Sequence, residues 1–266
     1  MLFNDIIGLI ISFLKIRFCF NIVGGILMRL DKFLANMGFG SRKEVRILIK
    51  QKLVTVNDKI IKDNSVKINP DNDRISVNGN EVIYEKYIYF MLNKPQGYLS
   101  ATKDNYQKTV LDLIPKEYKH YHLFPVGRLD IDTEGLLLIT NDGNANHQLI
   151  SPKKNIPKVY YAKIDGKVLD SHVELFKNGL ILDDGYKTKQ AYLNIIHSAS
   201  ISEIKLTITE GKFHQVKRMF QSLGMKVLYL KRIQMGNIKL DLLLKKGEVR
   251  KLNDEEVNYI ESIKIR

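Results

Sequence analysis

The stretch Gly127-Arg128-Leu129-Asp130-Ile131-Asp132-Thr133-Glu134-Gly135-Leu136-Leu137-Leu138-Ile139-Thr140-Asn141-Asp142-Gly143 decides how the rest of the chain is read. It is a polar loop rich in carboxylates that runs into an apolar strand, Leu136–Thr140, and then into an Asn-Asp-Gly turn. Asp130, Asp132 and Glu134 fall within five positions. A pair of carboxylates can divide the acid and base roles of a glycoside hydrolase. The plainer alternative is a turn whose acids cap backbone groups.

Working outward, Tyr87–Leu92 is strand-like and ends in Asn93-Lys94-Pro95-Gln96-Gly97, a loop punctuated by Pro and Gly. Downstream, Val159–Ile164, Glu203–Thr209 and Val249–Leu252 read as further strands. In the second of these, Ile204, Leu206 and Ile208 alternate onto one face. A last helix begins at Asn253, with Glu256 completing the cap, and presents Val257, Ile260 and Ile263 to a core. Strands and helices do not alternate regularly, so an α+β sheet domain over residues 87–266 is expected rather than a doubly wound one.

A different unit precedes it. Leu30, Phe33, Leu34 and Met37 lie on one helical face, and Gly38 and Gly40 end that helix. Ser41-Arg42-Lys43-Glu44 is a capping box opening a second helix, which buries Val45, Leu48 and Ile49 and carries Arg42, Lys43, Arg46 and Lys50 on its other side. Short strands follow at Val54–Val56, Ile60–Ile61 and Arg74–Val77, the last ending in the turn pair Asn78-Gly79. The boundary of this small domain, residues 28–86, falls near Glu85–Tyr87. Residues 1–27 are an apolar leader broken by Lys15 and Arg17; a mis-assigned start, with Met28 as the first residue, is expected ahead of a membrane anchor.

Composition narrows the function. The 266 residues carry a net charge of +13, which suits a polyanionic partner. One cysteine, Cys19, excludes a disulfide within the chain and a cysteine-rich zinc site. The six histidines show no ligand spacing, and no phosphate-cradling glycine motif occurs, so neither metal nor cofactor is expected. The absence of Trp disfavours the sugar-stacking site of a glycoside hydrolase.

The Gly127–Gly143 segment closely resembles the GRLDxDTxGLLLLTNDG signature of the small-subunit ribosomal RNA pseudouridine synthase A family. The resemblance extends to YFMLNKPQGYLSAT (89–102), SPKKNIPKVYYAKI (151–164), EGKFHQVKRMF (210–220) and LKRIQMGNIKL (230–240). Residues 28–83 resemble the S4 RNA-binding domain. These likenesses imply a catalytic domain on a mainly antiparallel mixed sheet flanked by helices, and a monomeric cytoplasmic isomerase needing no cofactor. The implied substrate is 16S ribosomal RNA or an assembling small-subunit particle. A large-subunit 23S enzyme, or an inactive assembly protein on the same fold, are the alternatives.

The family motif makes Asp130 the catalytic carboxylate, Tyr160 the tyrosine stacking on the target base, and Leu230 the apolar residue packing on the uracil. It places Lys217 in a salt bridge with Asp130, with Arg218 as the rival. Asp132 and Glu134 are expected to shape the loop. Arg42, Lys43 and Arg46 are the implied phosphate contacts of the S4-like helix. Lys94, Arg128, Lys212 and Arg218 are expected to hold RNA displaced when the base is extruded.

Overall fold

The computed structural model describes residues 27–265. The expected leader, residues 1–27, lies outside these except for its last position. Among the described residues no helix is long and apolar enough to cross a membrane. The chain divides into two compact units, one ending at Tyr84 and the other beginning at Glu85.

The first unit packs two helices over short antiparallel strands. Strand β1 (Met28–Arg29) leads into helix α1 (Leu30–Asn36), and Gly38 and Gly40, both at positive φ, turn the chain toward helix α2 (Arg42–Lys50). Ser41 and Glu44 form the expected capping box, each side chain bonded to the other's backbone N–H. Strands β2 (Val54–Val56), β3 (Lys59–Ile60), β5 (Ile75–Val77) and β6 (Asn80–Glu81) form a sheet in the order β3-β2-β5-β6, while β4 (Lys67–Ile68) pairs with β1. Asn78 and Gly79 both take positive φ and join β5 to β6 in the two-residue turn their sequence favours. Leu30, Phe33, Leu34, Val45 and Ile49 close the core from the helix side.

The second unit is built on a nine-stranded mixed sheet. Its main path runs β11 (Tyr192–His197), β12 (Ile201–Ile208), β10 (Lys158–Asp165), β13 (Lys226–Met235), β9 (Glu134–Thr140), β7 (Tyr89–Lys94), β15 (Val249–Lys251). Short β8 (Phe124–Pro125) and β14 (Ile238–Lys239) add to β9 and β13. Every pairing is antiparallel except β13 with β9, which meet in parallel over only Lys231–Glu134 and Arg232–Gly135. The sheet is therefore two antiparallel halves spliced by a short parallel seam.

Every residue of β7 and β9 is buried, which is why both read as near-continuous apolar runs. Phe90, Leu92, Leu137 and Ile139 join one core with Tyr160, Ala162 and Leu206. Tyr89, Met91, Leu136 and Leu138 join another with Ile260 and Ile263 of helix α6 (Asp254–Lys264). Asn253 and Glu256 cap that helix as expected. Three other helices, α3 (Gly143–Ile150), α4 (Asp170–Asn178) and α5 (Gln215–Gln221), complete the unit.

One expectation is corrected here. Asn141-Asp142-Gly143 is not a free turn: Asp142 is the N-cap of α3, accepting from the N–H groups of Asn144 (2.9 Å) and Ala145 (3.1 Å).

Candidate active site

The seam between the sheet halves positions the site. Asp130 sits just before β9, Tyr160 lies on β10 and Leu230 on β13, and all three line one cleft. Gly135, at φ +98, lets the strands close on each other: a Cβ there would stand 2.2 Å from the carbonyl of Arg232.

The Asp130 loop is held from beneath by the block 93–102. Residues 130–133 form a tight turn, the Thr133 N–H donating to the Asp130 carbonyl at 3.0 Å. Lys94, opposite Gly135 in the β7–β9 ladder, sends its ammonium inside that turn. It donates to the carbonyls of Thr133 (2.9 Å), Asp130 (3.1 Å), Pro95 (3.1 Å) and Ile131 (3.3 Å). Gly97 N–H donates to Ile131 (2.8 Å), and Ser100 Oγ bonds both the N–H and the carbonyl of Leu129. Burial pushes the Lys94 ammonium down to about 8, although Asp132, Asp130 and Glu134 pull the other way. Lys94 is 0% exposed and its ammonium is engaged by the turn's carbonyls, where an open contact with RNA backbone was expected.

The opposite wall comes from residues 210–217. Buried Glu210 accepts from the Tyr186 hydroxyl (2.7 Å), the Lys189 N–H (3.0 Å) and the Gln215 amide (2.6 Å), while Gln215 Oε1 accepts from the Lys212 N–H (2.9 Å). This brace closes the loop and leaves His214 in the left-handed region at φ 49, just ahead of α5. His214 Nε2 stands 3.6 Å from one Asp130 oxygen and Lys217 Nζ 3.3 Å from the other. Lys217 is closer still to Asp132, at 2.6 and 2.8 Å. Burial disfavours ionisation of Asp132, but the Lys217 ammonium outweighs it and holds the carboxyl below its ordinary range. Asp132 thus shares the cation rather than merely shaping the loop.

Of the two candidates for the cation beside Asp130, Lys217 is the one that reaches it. Arg218 turns away to Asp183 (2.7 Å) and Asp184 (2.7 Å), so its expected RNA contact competes with two carboxylates already in place. Arg128 and Lys212 are exposed residues on the cleft rim. His214 escaped the sequence reading because it has no partner spacing of its own; its position directly before Gln215 and Lys217 was the available signal.

In the first unit, Lys43 is exposed, but Arg42 and Arg46 are partly engaged by the buried Asp31, at 2.8 and 3.8 Å. Asp31 also accepts from Arg29 and Asn64. Its burial opposes ionisation, yet these donors hold the carboxyl far below its usual range. Both arginine side chains remain about half exposed, at 48% and 49%.

Known proteins resemble both units of the chain. Residues 88–222 match the RNA pseudouridylate synthase family and residues 28–75 the S4 domain. The chain is 46% identical over 234 residues to a Bacillus subtilis protein described as the uncharacterized RNA pseudouridine synthase YtzG, covering 88% of this chain and 98% of that one. It is 39% identical over 232 residues to ribosomal small subunit pseudouridine synthase A of Escherichia coli K12, covering 86% and 98%. A crystal structure of a pseudouridylate synthase superposes with a TM-score of 0.62 at 36% identity, covering 88% of this chain and 99% of that one.

Proposed function

The chain belongs to the RNA pseudouridylate synthase family, and from that premise we propose that it isomerises one uridine of 16S ribosomal RNA, with Asp130 as the catalytic carboxylate. The observation that carries this reading is the convergence of Asp130, Lys217, Tyr160 and Leu230 around one cleft. The choice of small-subunit RNA is supported by relatives named as small-subunit enzymes at 38% to 40% identity. The reading takes the enzyme to act as a monomer. Cytoplasmic action fits a ribosomal RNA substrate.

The chemistry follows from what the cleft offers. The N1–C1′ bond of the uridine breaks, the uracil turns, and a C5–C1′ bond forms; C5 then loses its proton while N1 gains one. Asp130 stands ready to attack C1′ or to remove a ribose proton, and both routes need it ionised. Lys217 and His214 flank its two oxygens without forming short bonds to them, so the carboxylate keeps lone pairs for the sugar. Tyr160 and Leu230 offer apolar surface for the freed uracil, which is neither oxidised nor reduced, so the balance requires no cofactor. Lys43 and the outer faces of Arg42 and Arg46 supply sequence-independent attraction to phosphate.

The test is tritium release from C5-labelled 16S and 23S transcripts, followed by mapping of pseudouridine. Release from 16S alone is the expected result. Release from 23S alone moves the proposal to the large subunit, and release from neither overturns the ribosomal assignment.

A further inference from the structure

Beside the cleft lie two buried cations that the catalytic reading does not use. Lys158 is 6% exposed and Arg232 3% exposed, and neither forms an ion pair among the described residues. Arg232 donates Nε–H to the Leu136 carbonyl at 2.8 Å, but one of its terminal nitrogens has no partner. Buried charges are ordinarily paired, because desolvation without compensation is costly. An unpaired donor at this depth therefore calls for an explanation.

Strand geometry says where these groups point. Lys158 and Tyr160 are two residues apart on β10 and share a face. Lys158 stands opposite Ile208, and Tyr160 opposite Arg232. Ile208 and Tyr160 both line the cleft. The two cations thus border the Asp130 site on its sheet side, and neither is paired with the carboxylates that engage Lys217 and Arg218. Burial, with Arg232 and Lys189 nearby, pushes the Lys158 ammonium down to about 8, as expected where positive charges gather without a counter-ion.

We propose that Lys158 and Arg232 form a subsite for a phosphodiester of the RNA strand, adjoining the cleft that takes the uridine. This rests on the reading of the cleft as a uridine site. Extruding a nucleotide brings its flanking phosphate toward the protein, and a phosphate supplies the acceptor oxygens these donors lack. Arg offers a planar fork and Lys a point charge, the two modes by which proteins hold phosphate. The subsite is distinct from the exposed lysines of the rim: its two cations are buried in the sheet, and the protein itself leaves a terminal nitrogen of Arg232 without a partner.

The test compares Lys158→Met and Lys158→Arg with the wild type. The RNA is whichever ribosomal RNA, small- or large-subunit, the wild-type enzyme converts, so an error in the subunit assignment would show in the wild type and not in the variants. Lys158→Met should lower single-turnover tritium release by about tenfold to a hundredfold. It should also flatten the log–log salt dependence of RNA binding by about 0.7, one single-strand phosphate contact. Its thermal midpoint should hold or rise, because it removes an uncompensated buried charge, and Lys158→Arg should recover much of the rate. Lys158→Gln, which keeps a polar tip, repeats the measurement should the Met variant not accumulate. An unchanged salt slope overturns the proposal whether or not activity falls, since a contact to a uracil carbonyl or a purely packing role would leave that slope alone.

Discussion

Asp130 and Asp142 stand at the two ends of strand β9, inside one short motif, and the protein treats them in opposite ways. Asp142 is 1% exposed and saturated: Tyr89 (2.6 Å), Lys264 (2.8 Å) and two N–H groups of α3 all donate to it. Asp130 is partly exposed, and the flanking nitrogens of Lys217 and His214 stand back at 3.3 and 3.6 Å. A carboxylate that has spent its lone pairs on donors can hold structure but has none left to react; one with few close donors keeps lone pairs for a substrate. Within one motif, counting donors separates architecture from chemistry where residue type does not.

The largest effect that would test this contrast is on activity. Asp130→Asn should cut tritium release by about 10³-fold or more while shifting unfolding free energy by only about 0.5 kcal/mol. RNA binding should persist, since the substitution removes negative charge. Activity near the wild-type level would erase the distinction between the two aspartates.

Asp142→Ala should behave in the reverse sense. Removing Asp142 takes from Lys264 its buried partner, leaving only Glu261, and uncaps α3, a loss of roughly 3–5 kcal/mol in urea unfolding of the second unit. Turnover per folded molecule should change little. A stable variant with impaired turnover would mean that Asp142 participates in the site after all.

The smallest effect sharpens the comparison through pH. Burial disfavours the Asp142 carboxylate, but Lys264 and Tyr89 outweigh it and hold its pKa below the ordinary 3.8. A depressed carboxyl contributes stability that is complete above its unfolded pKa and is lost as pH falls through the folded one. The stability gap between wild type and Asp142→Asn should therefore narrow as pH drops below 3.8. A gap that stays constant into acid would assign the aspartate's contribution to shape rather than charge.

What the sequence disclosed follows the range of the forces involved. The capping boxes at Ser41 and Asn253 and the Asn78-Gly79 turn were legible, because each is fixed by residues within four positions. The apolar runs of β7 and β9 were legible for the same reason. Strand β13 was not, since Lys231 and Arg232 interrupt its apolar character and a bulge breaks its alternation. Asp142 read as a turn because an Asx turn and a helix N-cap begin with the same hydrogen bond. What separates them here is Tyr89, 53 residues away, and Lys264, 122 away. Lys94 followed the same rule: nothing local announces that a lysine before Pro-Gln-Gly is buried. In the site, motif resemblance carried Asp130, Tyr160, Lys217 and Leu230, whereas His214 and the sharing of Lys217 with Asp132 emerge only from the fold.

The Lys94 ammonium, ringed by four carbonyl oxygens, occupies the Asp130 turn much as a dissolved cation occupies an ionophore. A loop organised around a free ion keeps its shape only while that ion is present at sufficient concentration, and it can be emptied by dilution or competition. Here the ion is tethered to the polypeptide, so its effective concentration is set by bond lengths and not by the surroundings. The geometry of the Asp130 turn is thereby insulated from the ionic composition of the medium, which matters for an RNA-modifying enzyme, because attraction to phosphate varies steeply with salt.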